Sequence, residues 1–432
     1  MRFYTKENAL IGEKYDRAKH PSGLEVVIIP KAHRKAFALF GTRYGSIDRV
    51  FKTQKDSDFL TVPDGIAHFL EHKLFENEDG SDTFSHFAAL GASCNAFTSN
   101  EMTAYLFSAT DHYYENLEVL LKFVSNPYFT PETVQKEMGI IGQEIRMGQD
   151  EPFHRLYYGL LDALYVNHNV KVDIAGTEET ISHITSDILY RCYHTFYNLN
   201  NMLLVLCGPW EKSKVKAVLD RNLKENEKIR IEKKTPREPR RLHRKKVVQT
   251  AAVALPLFAV GMKEGDLKKR ISPKEILKKE AEHEILADIL FGKSSAFYNE
   301  LYDEGLISDR FSVEYDLSHT YGYLFLSGES RKPETVFRRI RETVKNAADL
   351  LTRQDFERSR RAVYARAVQD WNSTTQIAET FMDFAFSGTD MLEYSEVISK
   401  VTFQDLLSRI GVSYRADRLA LSIVKPPKEK KI

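Results

Sequence analysis

The sequence predicts two domains of similar make-up, each mixing strands with helices, and three observations lead there. The chain has 432 residues, too many for one ordinary core and enough for two of about 200 residues each. A charged, proline-containing stretch around residues 212–247 interrupts it, with the composition of a linker. The order of strand-like and helix-like segments before that stretch is repeated after it. The expected units are therefore residues 1–211, a linker at 212–247, and residues 248–432.

Composition removes several classes of function. Lysine and arginine (62) nearly cancel aspartate and glutamate (61), and a net charge of +1 gives no overall attraction to nucleic acid or anionic lipid. Cys94, Cys192 and Cys207 are odd in number and widely spaced, unlike a zinc cage or a disulfide scaffold, and suit a reducing compartment. Cys94 reads as a small buried apolar residue. The leading segment MRFYTKENALIGEKYDRAKH scatters its charges and has no apolar core of the kind a secretory signal needs. No uncharged apolar run approaches the roughly 18–20 residues that span a bilayer. The expectation is a soluble, cytoplasmic protein with neither membrane nor nucleic acid as partner.

Past the charged lead-in, GLEVVIIP (Gly23 to Pro30) and AFALFGTRYGSID are runs of β-branched and aromatic residues and read as strands. Pro63, Asp64 and Gly65 break the chain, with Asp64 placed to cap or start the next helix. That helix is GIAHFLEHKLFE, Gly65 to Glu76. At about 100° per residue, Ile66, Leu70 and Leu74 share one side while His68, Glu71 and His72 gather on the other. Thr83 to Leu90 reads as a further helix ended by Gly91. GASCNAFTSNEMTAYLFSA then reads as two strands joined near Asn100, and an edge strand there would offer free N–H and C=O groups to an extended peptide. Helical patterns return over Asp111 to Val124 and, after NPYFTPE, over Pro131 to Met147. In the latter, Glu137 and Glu144 stand two turns apart and face the same way.

The polar arc carries chemistry. Imidazoles at i and i+4 can point at one centre, and neutral imidazole is a good nitrogen ligand for zinc. The carboxylate at i+3 lies beside them, able to bind the metal or to activate a water. With 13 histidines and 61 acidic residues, a chance H-x-x-[DE]-H is expected only ~0.05 times, and this spelling is the inverzincin signature. The plain alternative is a helix whose histidines satisfy a core or a surface. Burying three polar groups without a ligand or partners would be expensive, however. Glu137 and Glu144 read singly as solvated glutamates; the need of a catalytic zinc for a third protein ligand, with a fourth position open, argues for more.

HFLEHKLFE, GASCNAFTSNEMTAY, KEMGIIGQEIRM, VDIAGTEETISHIT and FYNLNNMLLVLCG, in this order over most of residues 20–210, resemble the pitrilysin/insulysin family of zinc peptidases, which includes the mitochondrial processing peptidases, and within it the short bacterial members. The resemblance implies the α+β class: two homologous domains of the mitochondrial-processing-peptidase-like metallohydrolase type, each a mainly antiparallel sheet packed with helices. It implies a zinc metalloendopeptidase with one Zn2+ per chain, cutting peptides in an enclosed chamber. His68, His72 and Glu144 would be the ligands, Glu137 an outer carboxylate, and Asn95, Ala96 and Phe97 the strand that binds substrate backbone. Glu71 would be the general base, taking a proton from a water acidified by zinc and handing it to the leaving amine.

The second half repeats the order in degraded form: strand-like VVQTAAVALPLFAVGM, a helix over Pro273 to Phe291, strands around Arg310 to Ser327, then a helix carrying DFERSRRAVYARAV. It has no H-x-x-E-H, and AEHEI around His283 has the wrong spacing. Family members with a complete active site carry a stretch like LR-x-x-x-G-L-x-Y here, whereas this chain has ELYDEGLISDRF, one residue shorter before the Gly, with Tyr302 after the leucine in place of the Arg and Ser308 in place of the Tyr. The resemblance therefore implies a heterodimer in which a homologous subunit without the zinc motif supplies the Arg–Tyr pair. The competing expectation is a catalytically silent structural subunit. The basic run Arg237 to Lys246 and the tail KPPKEKKI read as solvated segments; without interleaved aromatics the run is a poor nucleic-acid site.

Overall fold

The computed structural model describes residues 1–265 and 271–427, so the last five residues of the KPPKEKKI tail lie outside it. Fifteen strands run through the described residues: β1 (Tyr4–Asn8), β2 (Glu13–Lys19), β3 (Glu25–Pro30), β4 (Ala36–Thr42), β5 (Val50–Thr53), β6 (Leu60–Thr61), β7 (Ser93–Thr98), β8 (Thr103–Ala109), β9 (Met202–Gly208), β10 (Ile231–Lys233), β11 (Lys246–Thr250), β12 (Leu257–Lys263), β13 (Ser312–Leu317), β14 (Gly322–Glu329) and β15 (Leu419–Lys425). The first large sheet has the order β1-β2-β3-β9-β4-β8-β7, and the other large sheet β11-β15-β12-β14-β13. Each is antiparallel but for one parallel pair, β3 with β9 and β11 with β15. The five-strand order β3-β9-β4-β8-β7 is thus reproduced by β11-β15-β12-β14-β13, and the repeat expected from the sequence is a repeat of topology. The chain has the α+β fold expected of it.

Five helices between the strands of the first half matter below: α1 (Ile66–Lys73), α2 (Thr83–Ala89), α3 (Tyr113–Ser125), α4 (Pro131–Asp150) and α5 (Pro152–Leu164). In the second half the expected helices span Pro273–Phe291 and Arg353–Gln369. Among the described residues, no helix is long and apolar enough to cross a membrane.

The large sheets exchange their covering helices. Leu156, Leu160, Leu161 and Leu164 of α5, from the first half, are buried with Ala259, Ala420 and Val424 of the second sheet. Reciprocally, Ile377, Phe381 and Met382 of the helix Thr374–Phe386 are buried against Val27, Phe37, Leu39 and Val205 of the first sheet. Matching strands make room for this with a glycine. A Cβ on Gly261 of β12 would lie 2.7 Å from Leu164 and 3.0 Å from Leu160, and one on Gly41 of β4 would lie 2.3 Å from the Met382 sulfur.

Three expectations need correction. The charged lead-in is the β1–β2 hairpin, held by contacts far off in sequence: Tyr15 Oη donates to Asp390 at 2.7 Å, and Lys6 Nζ donates to Asp390 and Glu393 at 2.7 and 2.6 Å. The stretch 212–247 is not irregular throughout. Lys212–Asn222 is a helix whose Val215, Val218 and Leu219 are buried in the first core, and β10 pairs with β5; apolar residues at i, i+3 and i+4 outweigh a charged composition. VVQTAAVALPLFAVGM is two strands rather than one, β11 and β12, on either side of Pro256. Part of the basic run is engaged within the chain: Arg244 and His243 lie 3.6 and 3.3 Å from Asp162, and Lys246 lies 2.8 Å from Glu334.

Candidate metal centre

Helix α1 begins at Gly65, whose φ of 89° favours glycine and whose Cβ, if present, would stand 2.4 Å from the Ala175 carbonyl oxygen. The turn before the helix is therefore seated on the loop that carries VDIAGT. Asp64 does not cap α1, contrary to expectation: its Oδ1 lies 2.6 Å from Arg49 Nε, and no side chain caps the helix. Ile66, Phe69, Leu70 and Leu74 are buried in the first core, which turns the His68–Glu71–His72 arc toward α4. That helix opens with a capping box of Thr130 and Thr133 and with Pro131 in its first turn. Val134, Ile141 and Ile145 anchor α4 to the same core.

So packed, the two helices bring the three expected ligands together. One ligand atom from each of His68, His72 and Glu144 lies within 4.8 Å of the others. His68 Nε2 stands 3.6 Å from Glu144 Oε1, and His72 Nε2 stands 3.5 Å from Glu144 Oε2. A direct N–H···O⁻ hydrogen bond would draw such atoms to about 2.7–2.9 Å. Each imidazole faces a different oxygen of Glu144 at more than that distance, so the carboxylate stands between the two rings without being hydrogen-bonded to either.

The two imidazoles differ in their electrostatics. Burial, with the neighbouring His72, pushes His68 down to about 4, so its imidazole is neutral at pH 7, as a ligand must be. His72 Nδ1 lies 3.0 Å from Glu137 Oε1. Burial alone would lower His72, but the Glu137 hydrogen bond and charge outweigh it and hold the group above its usual value. With Nδ1–H given to Glu137, the Nε2 lone pair is left for the centre. Glu137 is 6% exposed and so acts through His72, whereas the Glu144 side chain is half exposed. The donor set fits zinc: two imidazole nitrogens and one carboxylate, with a carboxylate-held histidine.

Glu71 is buried beside these donors, and burial raises its pKa against the opposing pull of a hydrogen bond from Thr98 and the charge of His72. Thr98 Oγ1 donates to Glu71 Oε2 at 2.6 Å. Asn95, Ala96 and Phe97 lie on β7, the edge of the first sheet, paired with Leu106, Tyr105 and Ala104 of β8. Asn95 is exposed, and Ala96 and Phe97 are partly so. Tyr302 is half exposed in the second half. His283 stays outside the centre, fully buried 3.2 Å from Glu264 and stacked on Tyr315. Two features escaped the sequence reading: Thr98, and the pair His154–Asp173 (2.7 Å), whose aspartate acts on His68. A threonine ending a strand looks like any other β-former, and no spacing links position 154 or 173 to position 68.

The chain is similar to known peptidases over nearly its whole length. The family described as insulinase (peptidase family M16) matches residues 62–178, and the peptidase M16 inactive domain matches residues 183–363. The chain is 40% identical over 412 residues, 94% of its length and 96% of the relative's, to the uncharacterized zinc protease YmfH of Bacillus subtilis (strain 168). It is 27% identical over 324 residues, 74% of each, to the putative zinc protease AlbF of the same organism. Among solved structures, a putative M16-like peptidase from Alicyclobacillus acidocaldarius superimposes with a TM-score of 0.91 at 34% identity, over 99% of both chains. A protease from Helicobacter pylori shares the fold, with a TM-score of 0.78 at 18% identity over 96% of this chain and all of that one.

Proposed function

The chain belongs to the insulinase peptidase family M16, and from that premise we propose that it is a zinc metalloendopeptidase in which His68, His72 and Glu144 hold one zinc ion and Glu71 is the general base. The observation that carries this reading is the meeting of a carboxylate from α4 with two imidazoles from α1 at 3.5 and 3.6 Å. A zinc ion there would polarise a peptide carbonyl and make an attacking water easier to deprotonate.

The chain's own residues do the rest. His72 is oriented by Glu137, and His68 is kept neutral by burial. Glu71, with Oε2 engaged by Thr98, takes the water's proton on its other oxygen and passes it to the leaving amine. Burial makes that carboxylate a stronger base than an exposed one. The free edge of β7 around Asn95, Ala96 and Phe97 pairs with an extended substrate backbone. Peptides are enclosed in a chamber completed by a homologous subunit that lacks the zinc motif and supplies an Arg–Tyr pair. The reason is local: Tyr302 and Ser308 occupy the places where relatives carry Arg and Tyr, and losing a donor to a developing oxyanion costs about a hundredfold or more. Three free thiols suit the cytoplasm as its compartment.

That same departure favours a second reading, a silent architectural subunit. The Glu71→Gln variant separates the two. Retention of about one zinc per chain with peptide cleavage reduced at least about a hundredfold is expected of the peptidase. Undiminished cleavage would remove Glu71 from its role. A zinc-loaded wild-type chain that cleaves nothing, alone or with the subunit that co-purifies with it, would leave the architectural role.

A further inference from the structure

We propose that Thr98 is a positioning residue: its hydroxyl fixes the Glu71 carboxylate in the pose a general base needs, and so ties that base to the strand that seats the substrate. The inference rests on the reading of Glu71 given above.

Thr98 Oγ1 carries one proton and lies 2.6 Å from Glu71 Oε2. The only other polar contact of that hydroxyl among the described residues is Thr103 Oγ1 at 3.3 Å. Thr103 gives its own proton to the Tyr44 carbonyl at 2.9 Å, so the Thr98 proton is directed to Glu71. Little freedom remains on the Thr98 side. Thr98 and Thr103 face each other in the β7–β8 register, Thr103 is fully buried, and Ser99 N–H closes the connecting turn on Met102 O at 2.7 Å. A glutamate has three side-chain torsions, and a carboxylate held at one oxygen loses the rotation that would turn it off its target.

Thr98 also ends the strand whose preceding residues, Asn95 to Phe97, are the proposed seat of the substrate backbone. Substrate pairing and base orientation thus share one strand, and removing the hydroxyl should slow turnover while leaving binding nearly intact.

The test uses the zinc-loaded protein, a quenched-fluorescent peptide, and the variants Thr98→Val, Thr98→Ser and Glu71→Gln in matched preparations, so that any companion subunit contributes equally to each ratio. Thr98→Val is expected to lower kcat by about 10- to 100-fold, the worth of one hydrogen bond to a charged group, with KM, zinc content and melting temperature nearly unchanged. Thr98→Ser should recover most of the rate. A second readout needs no turnover: binding of a peptide hydroxamate, which gives up a proton to a neighbouring carboxylate, should weaken about tenfold in Thr98→Val and not in Thr98→Ser. A folded, zinc-loaded Thr98→Val with wild-type kcat and hydroxamate affinity overturns the inference, as does a Thr98→Ser as impaired as Thr98→Val. A wild-type chain no faster than Glu71→Gln overturns the general-base reading and this inference with it.

Discussion

His68 and His168 are both pushed down to about 4 by burial, and for His168 this has a consequence for stability. It is fully buried; its Nδ1 accepts from Val170 N–H at 3.1 Å, and its Nε2 lies 3.1 Å from Thr320 Oγ1 across the boundary between the halves. Glu238 and Lys263 are the charges that bear on it. In the unfolded chain this imidazole takes a proton near its usual value of about 6.5, in the folded chain only near about 4. Between those values the unfolded state holds more protons, so stability falls as pH falls, by about 2 kcal/mol at pH 5 and about 3 kcal/mol in the limit. Glu280, which burial pushes up to about 8, has the opposite sense: its contribution is present at low pH and lost as pH rises. The effect is therefore read as a difference. Between pH 7 and 5, urea denaturation of wild type should lose about 2 kcal/mol more than that of His168→Asn, and equal losses would contradict the assignment. Residues differ in how plainly the sequence announces them. His68, Glu71 and His72 are legible because an apolar stripe opposite leaves them one face; Thr98 acquires its role only through the β7–β8 register.

Elements were legible where the pattern is local. Pro131, after a threonine cap, marks the start of α4, and Ser272 with Pro273 starts the helix Pro273–Phe291. The β1–β2 hairpin was not, because its partners Asp390 and Glu393 lie at the other end of the chain. The exchanged helices were hidden likewise, since nothing in the leucines of α5 says which sheet they cover. Close packing there makes a sharp comparison. Gly261→Ala drives a Cβ to within 2.7 Å of Leu164, where overpacking costs about 1–3 kcal/mol. A Cβ on Gly411, within the helix Phe403–Ser413, would meet nothing within 4 Å, and Gly411→Ala should gain about 0.5–1 kcal/mol. Thermal denaturation should therefore shift in opposite directions for the two variants; a neutral Gly261→Ala would mean that α5 does not bear on β12.

Across the whole molecule, the repeat in topology does not carry over to chemistry. On the helix Pro273–Phe291, Glu284 and Asp288 stand at i and i+4, as His68 and His72 do on α1. The facing helix Arg353–Gln369 contributes a cation, and Arg366 Nη1 lies 3.0 Å from Asp288 Oδ1. Where the first half brings His68, His72 and Glu144 together, the second pairs Asp288 with Arg366. The sequence showed that the second half lacks the motif; it did not show which side chains meet between these helices, because that depends on which side of each helix faces the other. The proposal of a single metal centre in a doubled fold is open to X-ray absorption at the zinc edge on the zinc-loaded protein, with zinc counted per chain. One zinc per chain is expected, with two nitrogen neighbours at about 2.0–2.1 Å, oxygen completing a four-coordinate shell, and loss of that zinc in His72→Ala. Two zinc ions per chain, an all-oxygen shell, or a spectrum unchanged in His72→Ala would contradict it.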